Sequence, residues 1–330
     1  MDGARGHFSR NKNQYFLLAL LMLLIAGMSL MAPGKFLTVR NFKNMGFQMA
    51  EFGILAIGMS VAIMTGGINL SLVNSAMLSA IAGAFLMRGM NEAGGIPDLV
   101  IIASGIAVVM VVSILCGMIN GYFVAYVGVA SLLVTLGTQT VFNGVSLNIT
   151  RGSGISGFPE LFQRIGAGSV LNIPYTMLIY VAAILAAWYL VERTPWGVSV
   201  YMVGGNEKAT RFSGINTKAV LMKVYVFSAV MAGVAGVLMV SRYNSARADY
   251  GSSYTLQAVA ATVLGGTDIN GGSGHILGTV TAVCILQVVS SGFNIIGINR
   301  NITDVVTGFI LVAVLTINYF AARERRHKKA

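Results

Sequence analysis

Charge is what this sequence has least of. Only 10% of its 330 residues are Asp, Glu, Lys or Arg, against roughly a quarter in a soluble globular chain. With 55% apolar residues and a mean hydropathy of +0.76, that shortage excludes disordered, collagenous, coiled-coil and ordinary soluble classes. Histidine is scarce as well: His7 and His327 stand in the termini and His275 stands alone, so no His/Cys/carboxylate cluster has metal-ligand spacing. The two cysteines, Cys116 and Cys284, fall in apolar tracts, where free thiols behave as small hydrophobes and no disulfide is indicated. No Gly-x-x-x-x-Gly-Lys-Ser/Thr loop is present; in Gly205-Asn206-Glu207-Lys208-Ala209-Thr210 the lysine follows its glycine too closely to cradle phosphates. The residues therefore describe no enzyme, no resident cofactor or metal, and no intrinsic ATPase.

What is present is a series of charge-free tracts. None of Asp, Glu, Lys or Arg occurs between Asp98 and Arg151, and the same holds from Glu51 to Arg88, Arg164 to Glu192, Lys223 to Arg242, Asp268 to Arg300 and Asp304 to Arg323. About 20 apolar residues span a bilayer as a helix, and the alternation of an outer-membrane barrel is missing. The expected fold is an all-α polytopic membrane bundle forming a single domain, 1–330. Its ten apolar segments lie at about 14–32, 46–65, 70–87, 99–126, 130–150, 173–192, 219–241, 253–264, 275–297 and 303–321. Segment 14–32 follows Arg5, Arg10 and Lys12, lacks a small-x-small cleavage site, and reads as an uncleaved signal anchor. At about 12 residues, segment 253–264 is too short to cross and is expected to be broken or re-entrant.

An even number of crossings puts both termini on one side, and the basic tail within 322–330, from Arg323 to Lys329, marks that side as cytoplasmic. The same arrangement leaves 13 Lys and Arg inside and 9 outside, with Lys35, Arg40 and Lys43 on the unfavoured side. The net charge of +11 follows from this membrane-insertion bias and needs no nucleic-acid partner.

Ion and proton handles are also missing from the middle of the segments, where such groups are costly and kept for use. Glu51, about a turn into the second segment, reads as interfacial. Transport by such a chain needs energy supplied from elsewhere. Two glycine strings, Gly66-Gly67-Ile68-Asn69-Leu70-Ser71 and Gly265-Gly266-Thr267-Asp268-Ile269-Asn270-Gly271-Gly272, give weak internal symmetry. Two readings fit them: unwound backbone lining a path, or small residues letting helices approach closely. The longest polar connection, 193–218, is placed on the cytoplasmic side. There Asn206 can cap a short helix, Glu207 suits its first turn, Arg211 its last, and Gly214 a left-handed end.

These motifs together resemble a known family, the membrane-spanning permease subunits of bacterial ABC importers for ribose, galactose, xylose, autoinducer-2 and related molecules. The resemblance covers about residues 36–320. It is carried by Phe36-Leu37-Thr38 with Asn41, Gly58-Met59 through Thr65 to Ser71, Asn120-Gly121, Val134-Thr135-Leu136-Gly137-Thr138, the loop from Gly204 to Ile215, and Gly265-Gly266-Thr267 with Gly271-Gly272-Ser273-Gly274. It implies ten spans per subunit in the bacterial inner membrane and a second permease copy or a related chain. It also implies cytosolic ATP-binding subunits carrying the ATP and Mg, and a periplasmic or lipid-anchored solute-binding protein. The loop would dock on the ATP-binding subunit through Gly205, Asn206, Glu207, Ala209, Arg211, Ser213 and Gly214. The sequence departs from the family's usual Asp at Asn69, common Gly at Asn74, and frequent Pro near Ala130 or Ser131.

Candidate pathway residues are the short polar groups Asn69, Ser71, Asn74, Asn120, Thr135 and Asn294. An amide at position 69 can still bond sugar hydroxyls. For all six, interhelical hydrogen bonding is the competing role. A stand-alone secondary carrier or facilitator is the alternative function, distinguished by ion-dependent flux without an ATPase. A receptor or scaffold would give no flux at all.

Overall fold

The computed structural model describes residues 2–170 and 172–299, together with positions 302, 305, 306, 308, 309, 312 and 316; side chains are described from residue 14 onward. Helix α1, Asp2–Met31, leads through a turn at Gly34 (φ +75°) into α2, Val39–Met64, whose first turn is capped by Thr38 accepting from the Asn41 amide. Sequence periodicity starts this helix near residue 46. The structure starts it seven residues earlier, because Arg40, Asn41, Lys43 and Asn44 occupy its first turns, where hydropathy is low but the cap enforces helix. The glycine loop follows, then α3, Leu72–Ala93, and α4, Asp98–Tyr122, which runs through a π-helical turn, Phe123–Val127, to a left-handed Gly128. Helix α5 is Ser131–Thr150. After it come a short α6, Glu160–Ala167, a two-stranded hairpin of β1 (Ser169–Val170) and β2 (Ile173–Pro174), and α7, Tyr175–Arg193. The chain continues with α8, Pro195–Gly205, α9, Glu207–Phe212, α10, Thr217–Tyr243, α11, Tyr254–Leu264, and α12, Ile276–Ile296.

Among the described residues seven helices are long and apolar enough to cross a membrane: the 14–31 part of α1, α2, α3, α4 with its π-turn, α7, α10 and α12. The other three expected segments fare differently. Residues 131–150 do form a 20-residue helix, but Thr135, Thr138, Gln139, Thr140, Asn143, Ser146 and Asn148 dilute its hydropathy. Residues 254–264 form an 11-residue helix, about 16 Å long at 1.5 Å per residue and so about half a bilayer core. The tenth segment, 303–321, and the tail lie largely outside the described residues.

Helix α2 is the axis of the bundle: 89% of its most apolar window is buried, against 11% for α1, which packs on α12. Helix α10 crosses α2, α3 and α4 at close range because small residues face it. A methyl group on Gly117 would stand 2.6 Å from Ala229 Cβ, and one on Gly236 would stand 2.7 Å from the Ala76 carbonyl oxygen.

The bundle has two distinct ends. At one end the Gly272 amide donates to the Met64 carbonyl (2.9 Å), joining the two glycine loops, and Tyr201 of α8 donates to the Gly274 carbonyl (3.0 Å). At the other, Lys43 Nζ donates to Ser169 Oγ (2.6 Å), Ser241 Oγ to the Phe162 carbonyl (2.5 Å), and Ile155 bridges Ala246. Residues 35–43 therefore sit at the end opposite α8 and α9.

Candidate functional site

Three polar features interrupt the apolar bundle. The first is the α8–α9 segment. Thr194 caps α8, with Pro195 in its first turn, and Asn206 leaves the helix with extended backbone and caps α9 by accepting from the Ala209 amide at 3.0 Å. Glu207 occupies the first turn and Arg211 the last, each of the sign that favours its end of the helix dipole, and Gly214 closes the segment at φ +84°. Gly205, Asn206, Glu207, Ala209, Arg211, Ser213 and Gly214 are all exposed, while Thr210 turns inward and is buried. Sequence reasoning passed over Phe212, which is 92% exposed in the middle of this surface. Its signal was an aromatic residue among charged and small ones.

The segment is held rigidly at its base. A Cβ on Gly204 would collide with the Met64 carbonyl and the Gly272 amide, and one on Gly271 would stand 2.5 Å from the Gly66 nitrogen. Backbone touches backbone there, so α8 rests directly on the end of α2 and on the second glycine loop, which in turn abuts the first at Gly66.

The second feature is a buried polar seam. Asn69 donates to Ser228 Oγ (3.0 Å) and accepts from Ser71 Oγ (2.9 Å); Asn120 donates to Ser71 Oγ (2.7 Å) and accepts from Thr138 Oγ1 (2.7 Å). Thr135 donates to the Ile68 carbonyl (2.9 Å), and Asn74 to the Gln139 carbonyl (3.0 Å). Five of the six candidate pathway residues thus come together, tying the first glycine loop to α3, α4, α5 and α10. Asn69, Ser71, Asn120 and Thr135 are each at most 1% exposed, and their polar atoms are matched to protein partners in this conformation. Asn294 is elsewhere.

The third feature, unforeseen as a unit, is a cavity of about 260 Å³ between α2, α11 and α12, at the end carrying α6. Asn294 lines it with Asn41, Asn44, Gln48, Gln257, Gln287, Ser290 and Ser291, and with Phe52, Tyr243 and Tyr254. Its walls are helical stripes: 41, 44, 48 and 52 on α2 face 287, 290, 291 and 294 on α12. Gln287 donates to Gln48 at 2.8 Å and Ser291 to Asn41 at 2.8 Å. The recurrence of amides at helical spacing in two segments was the available signal.

Behind this wall Glu51, fully buried, meets Arg242 at 3.1 Å and accepts from the Tyr243 hydroxyl at 3.3 Å. Glu51 lies three turns into α2, which begins at Val39, and packs against the last turn of α10 at the end of the bundle that carries α6. Among the described residues no group of His, Cys, Asp and Glu could hold a metal ion.

Residues 41–315 match the family described as branched-chain amino acid transport system / permease component. The chain is similar to the ribose import permease protein of Bacillus subtilis (strain 168), 38% identical over 298 residues and 89% of each chain. It is similar to the ribose import permease protein of Escherichia coli (strain K12), 36% identical over 304 residues, 90% of this chain and 91% of that one. It is also similar to the autoinducer 2 import system permease protein of Yersinia enterocolitica serotype O:8 / biotype 1B, 34% identical over 278 residues, 82% of this chain and 81% of that one. No solved structure matches it.

Proposed function

The chain belongs to the permease component family of branched-chain amino acid transport systems, and we propose that it is the membrane-spanning subunit of an ATP-driven importer that moves a monosaccharide or similar polyhydroxylated solute. The observation that carries this reading is similarity over more than four-fifths of both chains to permeases named for ribose and autoinducer 2 import. The site chemistry favours sugars over amino acids. An α-amino acid brings a carboxylate and an ammonium into the membrane, each needing a counter-charge. The buried seam and the cavity offer amides and hydroxyls, and the buried Glu51 and Arg242 already neutralise each other.

In this reading the protein has ten membrane segments, with α5, the broken or re-entrant segment of α11 and the 303–321 segment completing the seven, and sits in the bacterial inner membrane with both termini in the cytoplasm. Helix α9 faces the cytoplasm and docks on a cytosolic ATP-binding subunit that carries the ATP and Mg. A solute-binding protein delivers the sugar at the opposite end, and a second permease copy or a related chain completes the pathway. When the ATP-binding subunits close, the push on Arg211 and its neighbours passes through Gly204 to both glycine loops. The polar seam of Asn69, Ser71, Asn74, Asn120 and Thr135 lies beside the first loop, where its partners would exchange as the helices reorient.

The test is Arg211→Glu in the assembled transporter. ATP-driven uptake is expected to fall at least about tenfold, the effect of losing roughly 1.4 kcal/mol at the docking surface, with membrane insertion unchanged. Full uptake by this variant would overturn the docking role. Flux that persists without any ATP-binding subunit and follows a proton or sodium gradient would replace the importer with a stand-alone carrier.

A further inference from the structure

We propose that the cavity between α2, α11 and α12 is a subsite for one uncharged polyhydroxylated molecule of monosaccharide size, filled from the end of the bundle that carries α6. The proposal rests on the importer reading and adds to it a place where the solute pauses.

Size comes first. About 260 Å³ lies just below the ~300 Å³ at which pockets for drug-sized molecules begin. That volume suits a single small ring and excludes a disaccharide. Chemistry comes next. The amides of Asn44, Gln48, Gln257, Gln287 and Asn294 line the cavity, and each amide both donates and accepts, as a sugar hydroxyl does. The Gln287–Gln48 bond uses one donor of the first and the acceptor of the second, leaving further donor and acceptor capacity on that pair. Packing alone does not require Asn44 and Asn294, which are exposed on cavity walls supplied by two different helices.

An apolar face completes the arrangement. The rings of Phe52 and Tyr254 stand 5.8 Å apart at 40° and line the same space. They offer the C–H face of a sugar ring a surface on which water is poorly held, while the amides take its hydroxyls. Among the described residues no ionised side chain lines the cavity. Glu51 and Arg242 bond to each other behind it. An anionic or cationic solute would lose hydration there and gain no counter-charge, so the site discriminates by charge before it discriminates by stereochemistry.

Thiol protection in the assembled transporter tests this. In a background lacking Cys116 and Cys284, the variants Asn44→Cys and Asn294→Cys are labelled by a membrane-impermeant maleimide, with Ser156→Cys as a control at the same end of the bundle. Labelling is followed alone and with D-ribose, D-xylose, D-galactose or the carboxylate D-ribonate. At least one neutral sugar is expected to slow labelling at both cavity positions by a factor of one plus its concentration over its Kd, about threefold at twice Kd. Ser156→Cys is expected to be unaffected, and D-ribonate to protect nowhere. Equal rates with and without every sugar, protection by D-ribonate matching the sugars, or failure of both cavity thiols to label would each overturn the subsite. Labelling needs no ATP, so absent protection beside intact ATP-driven uptake defeats the subsite alone. Protection beside ATP-independent flux defeats the importer reading and leaves the subsite standing.

Discussion

Glu51 and Arg242, 191 residues apart in the chain, meet at 3.1 Å with the carboxylate fully buried and the guanidinium side chain 20% exposed. The pair pins the middle of α2 to the last turn of α10, and Arg242 also lies over the rings of Phe47 and Tyr243, 5.6 and 5.3 Å from their centroids. Removing one partner of a buried pair leaves the other charge without compensation, at about 3–5 kcal/mol, whereas replacing both by apolar groups is close to neutral. Arg242→Met is therefore expected to lower the thermal midpoint and detergent-solubilised yield sharply, and adding Glu51→Leu to recover most of the loss. A double variant as unstable as Arg242→Met would show that the pair does more than neutralise itself. Size-exclusion profiles after a temperature ramp give the readout.

Two adjacent glycines should respond in opposite ways. A methyl on Gly204 collides with backbone at the end of α2 and in the second glycine loop, and backbone cannot step aside as a flexible side chain can. One on Gly205 meets nothing within 4 Å. Gly204→Ala is expected to destabilise by about 1–3 kcal/mol or more, the usual cost of overpacking, while Gly205→Ala keeps stability. Equal behaviour would contradict the packing of α8 on that backbone.

Phe212 is nearly naked to solvent on a helix otherwise made of polar and small residues. An aromatic in the centre of a docking surface commonly supplies 2 kcal/mol or more of binding. Phe212→Ala should weaken capture of the ATP-binding subunit about thirtyfold and leave the melting temperature of the isolated permease unchanged. A pull-down titration that detects no weakening would remove Phe212 from the docking surface.

The seam and the cavity are separable by stability. Asn120→Leu strips partners from Ser71 and Thr138 inside the protein, a loss of about 1–3 kcal/mol for unsatisfied buried groups. Asn294→Leu changes an exposed wall residue and should leave the thermal midpoint within experimental scatter. The reverse ranking would exchange the roles assigned to the two features.

Much of this architecture was legible because hydropathy and capping are local. The apolar tracts mark the seven candidate spans, a twelve-residue run announces a helix too short to cross, and Asn206, Glu207, Arg211 and Gly214 spell out α9. Where polarity and helix formation part company, hydropathy misled. The polar first turns of α2 hid its true start, so Glu51 lies three turns into the helix and not one. The cavity escaped notice for a different reason. Its amides come from three helices far apart in the sequence, and a single Asn294 viewed alone cannot reveal that it shares a cavity with Asn44 and Gln48. Five seam residues were found, yet their mutual bonding depended on the glycine loop folding back between α4 and α5.

One unbroken helix, α2, touches both the amide-lined cavity at Gln48 and the glycine contact at Met64. Those positions are about 24 Å apart at 1.5 Å per residue, with neither proline nor glycine loop between them. It is a lever arm: pivoting it by about 10° at the Met64 end would swing Gln48 through about 4 Å, more than the length of a hydrogen bond. A small displacement at one membrane face is thus enough to make or break the grip on a sugar near the other, with no relay of side chains needed in between.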